Sequence, residues 1–85
     1  MEPDVDVLRV YSRPGCHLCE QLVEELLPMT RGRVEVEIVD IDTRPEWQQA
    51  YGTQIPVVEY LGETVCQYTL DVAAVRRIID ARDGS

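Results

Sequence analysis

Cys16-His17-Leu18-Cys19 stands where a strand pattern gives way to a helix pattern, and no other stretch restricts the fold so tightly. Upstream, Val5 to Tyr11 is rich in Val, Leu and Tyr and runs into the breakers Ser12-Arg13-Pro14-Gly15. Downstream, Cys19, Leu22, Val23 and Leu26 recur at i, i+3, i+4 and i+7. Cys16 to Leu27 therefore reads as a helix, closed by Pro28 and Gly32. The chemistry of such a pair needs a thiolate, because the thiolate is the species that attacks a disulfide sulfur. A helix N-terminus offers unpaired N–H groups and partial positive charge to that anion. Cys16 occupies that end and is the expected nucleophile. Cys19, one turn inward on the same face, is placed to attack the resulting mixed disulfide. His17 lies between them, either as a charge that favours the thiolate or as a solvated residue of the first turn.

The rest of the chain reads as one mixed α/β unit spanning residues 1–85. Val34-Glu35-Val36-Glu37-Ile38 alternates strictly, as a strand with one wet face does. Thr43, Pro45 and Glu46 spell a capping box with a Pro in the first turn, opening a short helix through Trp47 and Tyr51 to Gly52. Ile55 to Tyr60 is strand-like and begins with a Pro, which a strand tolerates at its start. Leu61-Gly62 is a hairpin turn into Glu63–Tyr68, and a last helix starts near Thr69 with Val72, Val75, Ile78 and Ile79 facing inward. Asp83-Gly84-Ser85 reads as a frayed end. The helical crossover makes the first two strands parallel, and the tight turn makes the last two antiparallel.

Sixteen acidic residues against eight basic ones leave a net charge of −8, a field that repels nucleic acid and anionic membranes. No apolar run approaches the ~20 residues of a membrane span. Met1-Glu2-Pro3-Asp4 has no signal-peptide character. A cytoplasmic location is the expectation, and three cysteines, one close pair and a single, suit catalytic thiols better than a secreted disulfide framework.

The segment Tyr11-Ser12-Arg13-Pro14-Gly15-Cys16-His17-Leu18-Cys19 resembles the active-site segment of glutaredoxins and small glutaredoxin-like proteins. Asp40-Ile41-Asp42, Pro45-Glu46, Tyr51-Gly52 and Ile55-Pro56 resemble the middle of thioredoxins and glutaredoxins in matching order. The resemblance implies a thioredoxin-like, glutaredoxin-type α/β fold. Its four-stranded mixed sheet has the order 2-1-3-4 and three flanking helices. The first and last helices share one face and the Thr43–Tyr51 helix takes the other. It implies a thiol–disulfide oxidoreductase acting on protein disulfides or mixed disulfides, with Cys16 and Cys19 catalytic. It also implies a cis-proline at Pro56, lying against the dithiol, with the Ile55 backbone offered to an extended substrate.

Expected substrate-binding residues are Arg13, Ile55 and Pro56, which the resemblance implies, His17 between the thiols, and Thr69 and Asp71, placed to present a helix N-terminus to a carboxylate. Arg13 stands where glutaredoxins carry a basic residue near glutathione. Glutaredoxins usually bear a Gly-Gly pair after the last strand, and this chain reads Cys66-Gln67-Tyr68-Thr69-Leu70-Asp71 there. No cofactor is expected, and glutathione is a possible co-substrate, with weak binding. Expected partners are protein disulfides, with glutathione or a thioredoxin reductase as electron source, and the chain is read as a monomer.

Other readings stand beside this one. Cys-x-x-Cys is half a zinc site, but a structural site wants four ligands and only Cys66 and His17 remain. An iron–sulfur cluster bridged between two chains is opposed by Pro56, which in this fold keeps metal from the dithiol. A non-enzymatic binding module is the plain alternative. A two-residue Leu61-Gly62 turn would set Val57 opposite Cys66, at the dithiol end of the sheet. There Cys66 is either a small buried hydrophobe or a third redox thiol or site of glutathionylation. Trp47 and Tyr51 either cover the sheet or dock substrate, and Arg9 is expected to pair with an acid such as Glu59.

Overall fold

The computed structural model describes residues 7–83. Val5 and Asp6, read as part of the first strand, and Gly84 and Ser85, read as a frayed end, lie outside the described residues. The elements are β1 (Val7–Ser12), α1 (His17–Thr30), β2 (Glu35–Asp40), a 3-10 turn (Ile41–Thr43), α2 (Pro45–Tyr51), β3 (Val57–Tyr60), β4 (Glu63–Gln67) and α3 (Val72–Asp83). The sheet order is β2-β1-β3-β4. β1 pairs parallel with β2 and antiparallel with β3, and β3 pairs antiparallel with β4. This is the mixed sheet the sequence predicts, with the Val34–Ile38 segment at an edge.

Leu8 and Val10 of β1 and Val58 of β3 meet Leu22 and Leu26 of α1 and Val75 and Ile79 of α3 in one buried cluster. On the other face Tyr11, Ile41 and Val57 are buried beneath Trp47 and Tyr51. Trp47 and Tyr51 thus cover the sheet. Tyr11 stacks on Tyr51 with ring centroids 4.1 Å apart and meets Trp47 edge-on at 5.7 Å. Among the described residues no helix is long and apolar enough to cross a membrane.

Several boundaries differ from the sequence reading. Cys16 caps α1 and is not its first helical residue, and the helix runs through Pro28 to Thr30. Pro28 removes one hydrogen bond near an exposed end. The last turn still closes, because Arg31 N–H reaches the Leu27 carbonyl at 3.0 Å and the Thr30 hydroxyl donates to Leu26 and Leu27. The capping box does not form. The Thr43 hydroxyl donates instead to the Asp40 carbonyl at 2.7 Å inside the 3-10 turn, and α2 begins after Arg44 with no side-chain cap. The alternating strand is Glu35–Asp40, and its inward Ile38 remains 50% exposed, since an edge strand lies at the margin of the helical cover. The last helix starts three residues after Thr69. Asp71 caps it by accepting the Ala74 N–H at 3.1 Å, Val72 is 43% exposed, and Asp83 is helical. Arg9 pairs with Glu37 (Nε to Oε1 3.0 Å), one strand away from the expected Glu59.

The Leu61-Gly62 turn forms as read, with φ of 52° and 84°, the left-handed pair that a two-residue hairpin requires. Tyr60 faces Glu63, but a bulge between Val58 and Glu59 shifts the register, so Cys66 lies opposite Val58 and not Val57. A one-residue slip reverses the face of every side chain beyond it. Cys66 accordingly packs on the α1/α3 cluster.

Candidate active site

Register alone gathers the residues of interest. Ser12 pairs with Asp40, Tyr11 with Val57, and Val57 with Gln67. The loops beyond these pairs leave the sheet at one end, carrying Arg13–Cys16, Asp42, Ile55-Pro56 and Tyr68–Asp71.

The dithiol loop follows from its residue types. Cys16 N–H donates to the Arg13 carbonyl at 3.2 Å, which closes a four-residue turn. Pro14 supplies the fixed φ of its second position and Gly15, at φ +80°, the left-handed third position of a type II turn. Cys16 is then extended (φ −86°, ψ 109°) and its Sγ accepts the Cys19 N–H at 3.2 Å. The outer sulfur therefore occupies the place of an N-cap oxygen. Cys16 is half-buried, whereas Cys19 is 3% exposed. Burial, and next the hydrogen-bonded Cys16 thiol, push the Cys19 thiol up to about 12, with the Arg13 backbone N–H pulling the other way. Both thiols are free. The arrangement presents one sulfur to a partner and shelters the proton of the other.

His17 is the first residue of α1 and is exposed. Arg13 pairs with Asp42 (Nε to Oδ1 3.1 Å), and Asp42 also accepts from Gln48. The Ile55–Pro56 peptide is cis, Pro56 is buried, and its carbonyl accepts the Tyr68 N–H at 2.8 Å. Ile55 packs beneath α2 with Trp47 and Tyr51. Thr69 is exposed and stands outside α3, while the Asp71 carboxylate is engaged as that helix's cap. Arg13, the two cysteines, Ile55-Pro56 and Thr69–Asp71 thus share one end of the sheet.

Sequence reasoning missed the clasp across that end. Tyr68 holds φ +69°, its hydroxyl donates to the Thr53 carbonyl at 3.2 Å, and Gln67 Nε2 donates to Gln54 Oε1 at 2.9 Å. These bonds tie the segment before Ile55-Pro56 to the β4–α3 loop. A tyrosine in left-handed backbone leaves no local pattern by which to anticipate it. It missed a second feature below the site. Glu59 accepts the hydroxyls of Tyr11 (3.1 Å) and Tyr51 (2.7 Å), and burial followed by that carboxylate raises the Tyr51 phenol. Burial likewise pushes the Cys66 thiol up, opposed by the Asp71 N–H.

The family model described as Glutaredoxin-like domain (DUF836) matches residues 7–80. No curated protein matches the chain. Among solved structures, protein Ne2328 from Nitrosomonas europaea is 30% identical, with a TM-score of 0.72, covering 82% of this chain and 86% of that one. Protein XcR50 from X. campestris is 33% identical, with a TM-score of 0.69, covering 87% and 96%. The holo form of glutaredoxin C1 from Populus tremula x tremuloides shares the fold at 18% identity, with a TM-score of 0.62, covering 94% and 89%.

Proposed function

As the chain belongs to the glutaredoxin-like domain family, we propose that it is a thiol–disulfide oxidoreductase that reduces protein disulfides through Cys16 and Cys19. The observation that carries this reading is the asymmetry of the pair: Cys16 Sγ at the helix cap, Cys19 sheltered at 3% exposure. The Cys16 thiolate attacks a substrate disulfide. A Cys16–substrate disulfide forms, the substrate S–S bond breaks, and the first substrate sulfur leaves as a thiolate that takes up a proton. Cys19 then loses its proton and attacks Cys16 Sγ. The Cys16–Cys19 disulfide forms and the second substrate thiol is released, so two electrons and two protons pass to the substrate. Glutathione or a thioredoxin reductase restores the dithiol. The protein works as a monomer in the cytoplasm.

The test is reduction of insulin disulfides with dithiothreitol as electron source. Cys16→Ser is expected to abolish catalysed turnover, and Cys19→Ser to accumulate a Cys16 mixed disulfide visible by mass spectrometry. A Cys16→Ser protein with near-normal turnover would refute the mechanism. A pair that resists oxidation by glutathione disulfide would mark an inert module.

Glutathione binding is proposed to be weak. Arg13 is already paired with Asp42, the Asp71 carboxylate caps α3, and Tyr68 places a ring where glutaredoxins carry glycine. Lost backbone approach outweighs one exposed charge pair, worth at most ~1 kcal/mol. Calorimetry with Cys19→Ser decides this: micromolar affinity, abolished in Arg13→Ala, is the result that would overturn it.

A further inference from the structure

Beside the dithiol, between the first two turns of α1 and the end of β2, lies a groove of about 440 Å³. Cys19, Val23 and Ile38 form its apolar lining, and Ile38, at 50% exposure, is among the most exposed large hydrophobic residues described. Glu20, Glu24 and Asp40 stand around it. Arg13 is the one cation in the lining, and its charge is met by Asp42. Asp40 is engaged by the Asp42 N–H at 2.9 Å, whereas Glu20 and Glu24 are exposed and in no ion pair among the described residues. An apolar floor flanked by these two carboxylates selects against acidic and purely polar segments. Its complement is an apolar side chain next to a cationic one.

We propose that this groove is the docking site for the substrate segment flanking the target disulfide, and that it selects segments with an aliphatic residue beside Lys or Arg. The inference rests on the dithiol reading above and names the substrate class of that same site. Gly15 and Cys19, which flank Cys16 along the chain, line the groove, so a segment seated there lies beside the turn that carries the outer thiol. Electrostatics of this kind acts on encounter and specificity more than on raw affinity. Because Glu20 and Glu24 are exposed, their effect fades as salt shortens the Debye length from ~10 Å at 0.1 M to ~3 Å at 1 M.

The experiment compares two octapeptides identical except for the two residues after Cys-Leu, one containing Cys-Leu-Lys-Arg and the other Cys-Leu-Glu-Glu, each as the mixed disulfide with 2-mercaptoethanol. The readout is the ratio of their kcat/KM values. The wild-type protein is expected to favour the cationic peptide by roughly fivefold or more at low salt, and the ratio to fall toward one in 1 M NaCl. Glu20→Gln/Glu24→Gln should bring the ratio below about twofold. Glu46→Gln/Glu63→Gln, which changes net charge equally but elsewhere, should leave the ratio in place. Equal turnover of both peptides overturns the proposal, as does a ratio that responds identically to the two double variants. Reduction of bis(2-hydroxyethyl) disulfide by the wild-type protein tests the dithiol reading separately. Were that reduction absent, anisotropy of the labelled, S-methylated peptides judges the groove by itself, and equal binding of the two would overturn it.

Discussion

At the scale of single residues, the proton on Cys19 is the most informative group. The folded chain holds it to about pH 12, whereas an unfolded chain releases it near ~8.5. Between those values the unfolded state binds fewer protons, so stability is complete below about 8.5 and falls as pH rises through the window. The slope is at most about 1.4 kcal/mol per pH unit for one proton. Urea midpoints measured from pH 7 to 10.5 should therefore decline, and Cys19→Ala should flatten the decline. A variant with an unchanged slope would place the alkaline sensitivity elsewhere. Tyr51 responds in the same direction at higher pH, because its phenol is raised by burial and by Glu59. Cys66 lies near the same end of the sheet, but its side chain belongs to the core cluster under α1 and α3.

Among the elements, α3 shows how a single cap positions a site. Asp71 accepts the Ala74 N–H and its own carbonyl accepts the Val75 N–H at 3.1 Å. The helix therefore begins after the Tyr68–Leu70 bend and not within it. Asp71→Ala should cost about 1 kcal/mol, the usual worth of a carboxylate cap. In a domain this small that lowers Tm by roughly 4–8 °C, measurable by circular dichroism. A change under one degree would mean that packing of Val75 and Ile79 alone sets the helix start. The α2 segment makes the contrary case, since it has no side-chain cap and only seven residues. It is held by Trp47 and Tyr51 over Tyr11 and by the Tyr51–Glu59 hydrogen bond. Packing supplies what local propensity does not.

For the molecule as a whole, the dominant electrostatic fact is the net charge of −8. The described ion pairs Arg9–Glu37, Arg13–Asp42 and Arg44–Glu46 are all substantially exposed, so each contributes little. Self-repulsion of the surplus acids opposes the compact state. Raising NaCl from about 10 mM to about 0.5 M should screen that repulsion and increase Tm at pH 7. A decrease would show that the ion pairs outweigh the repulsion.

Much of this architecture was legible in local pattern. The strand–turn–helix around Cys16, the alternation that marks β2, the Leu61-Gly62 turn and the inward Val75 and Ile79 all follow from short-range periodicity and from residues with special φ. The same signals, with the resemblance they carry, led to the sheet order and to an outer Cys16 with a sheltered Cys19. What they could not supply depends on partners distant in sequence. The bulge in β4 moves Cys66 to the other face, because pairing register is settled across two strands and a core. The helix start at Val72 and the lost capping box at Thr43 were decided by competition for backbone groups, in which Asp71 and the Asp40 carbonyl prevailed. Arg13 was visible as a cation, but its engagement by Asp42, 29 positions away, was not. Tyr68 adopts φ +69° while its N–H is bound to the Pro56 carbonyl and its hydroxyl to Thr53. Sequence by itself singled out the Cys16–Cys19 pair and the end of the sheet on which it stands. Tertiary structure decided what surrounds them, because hydrogen bonds and burial between remote segments, and not local preference, set the shape and charge of the rim.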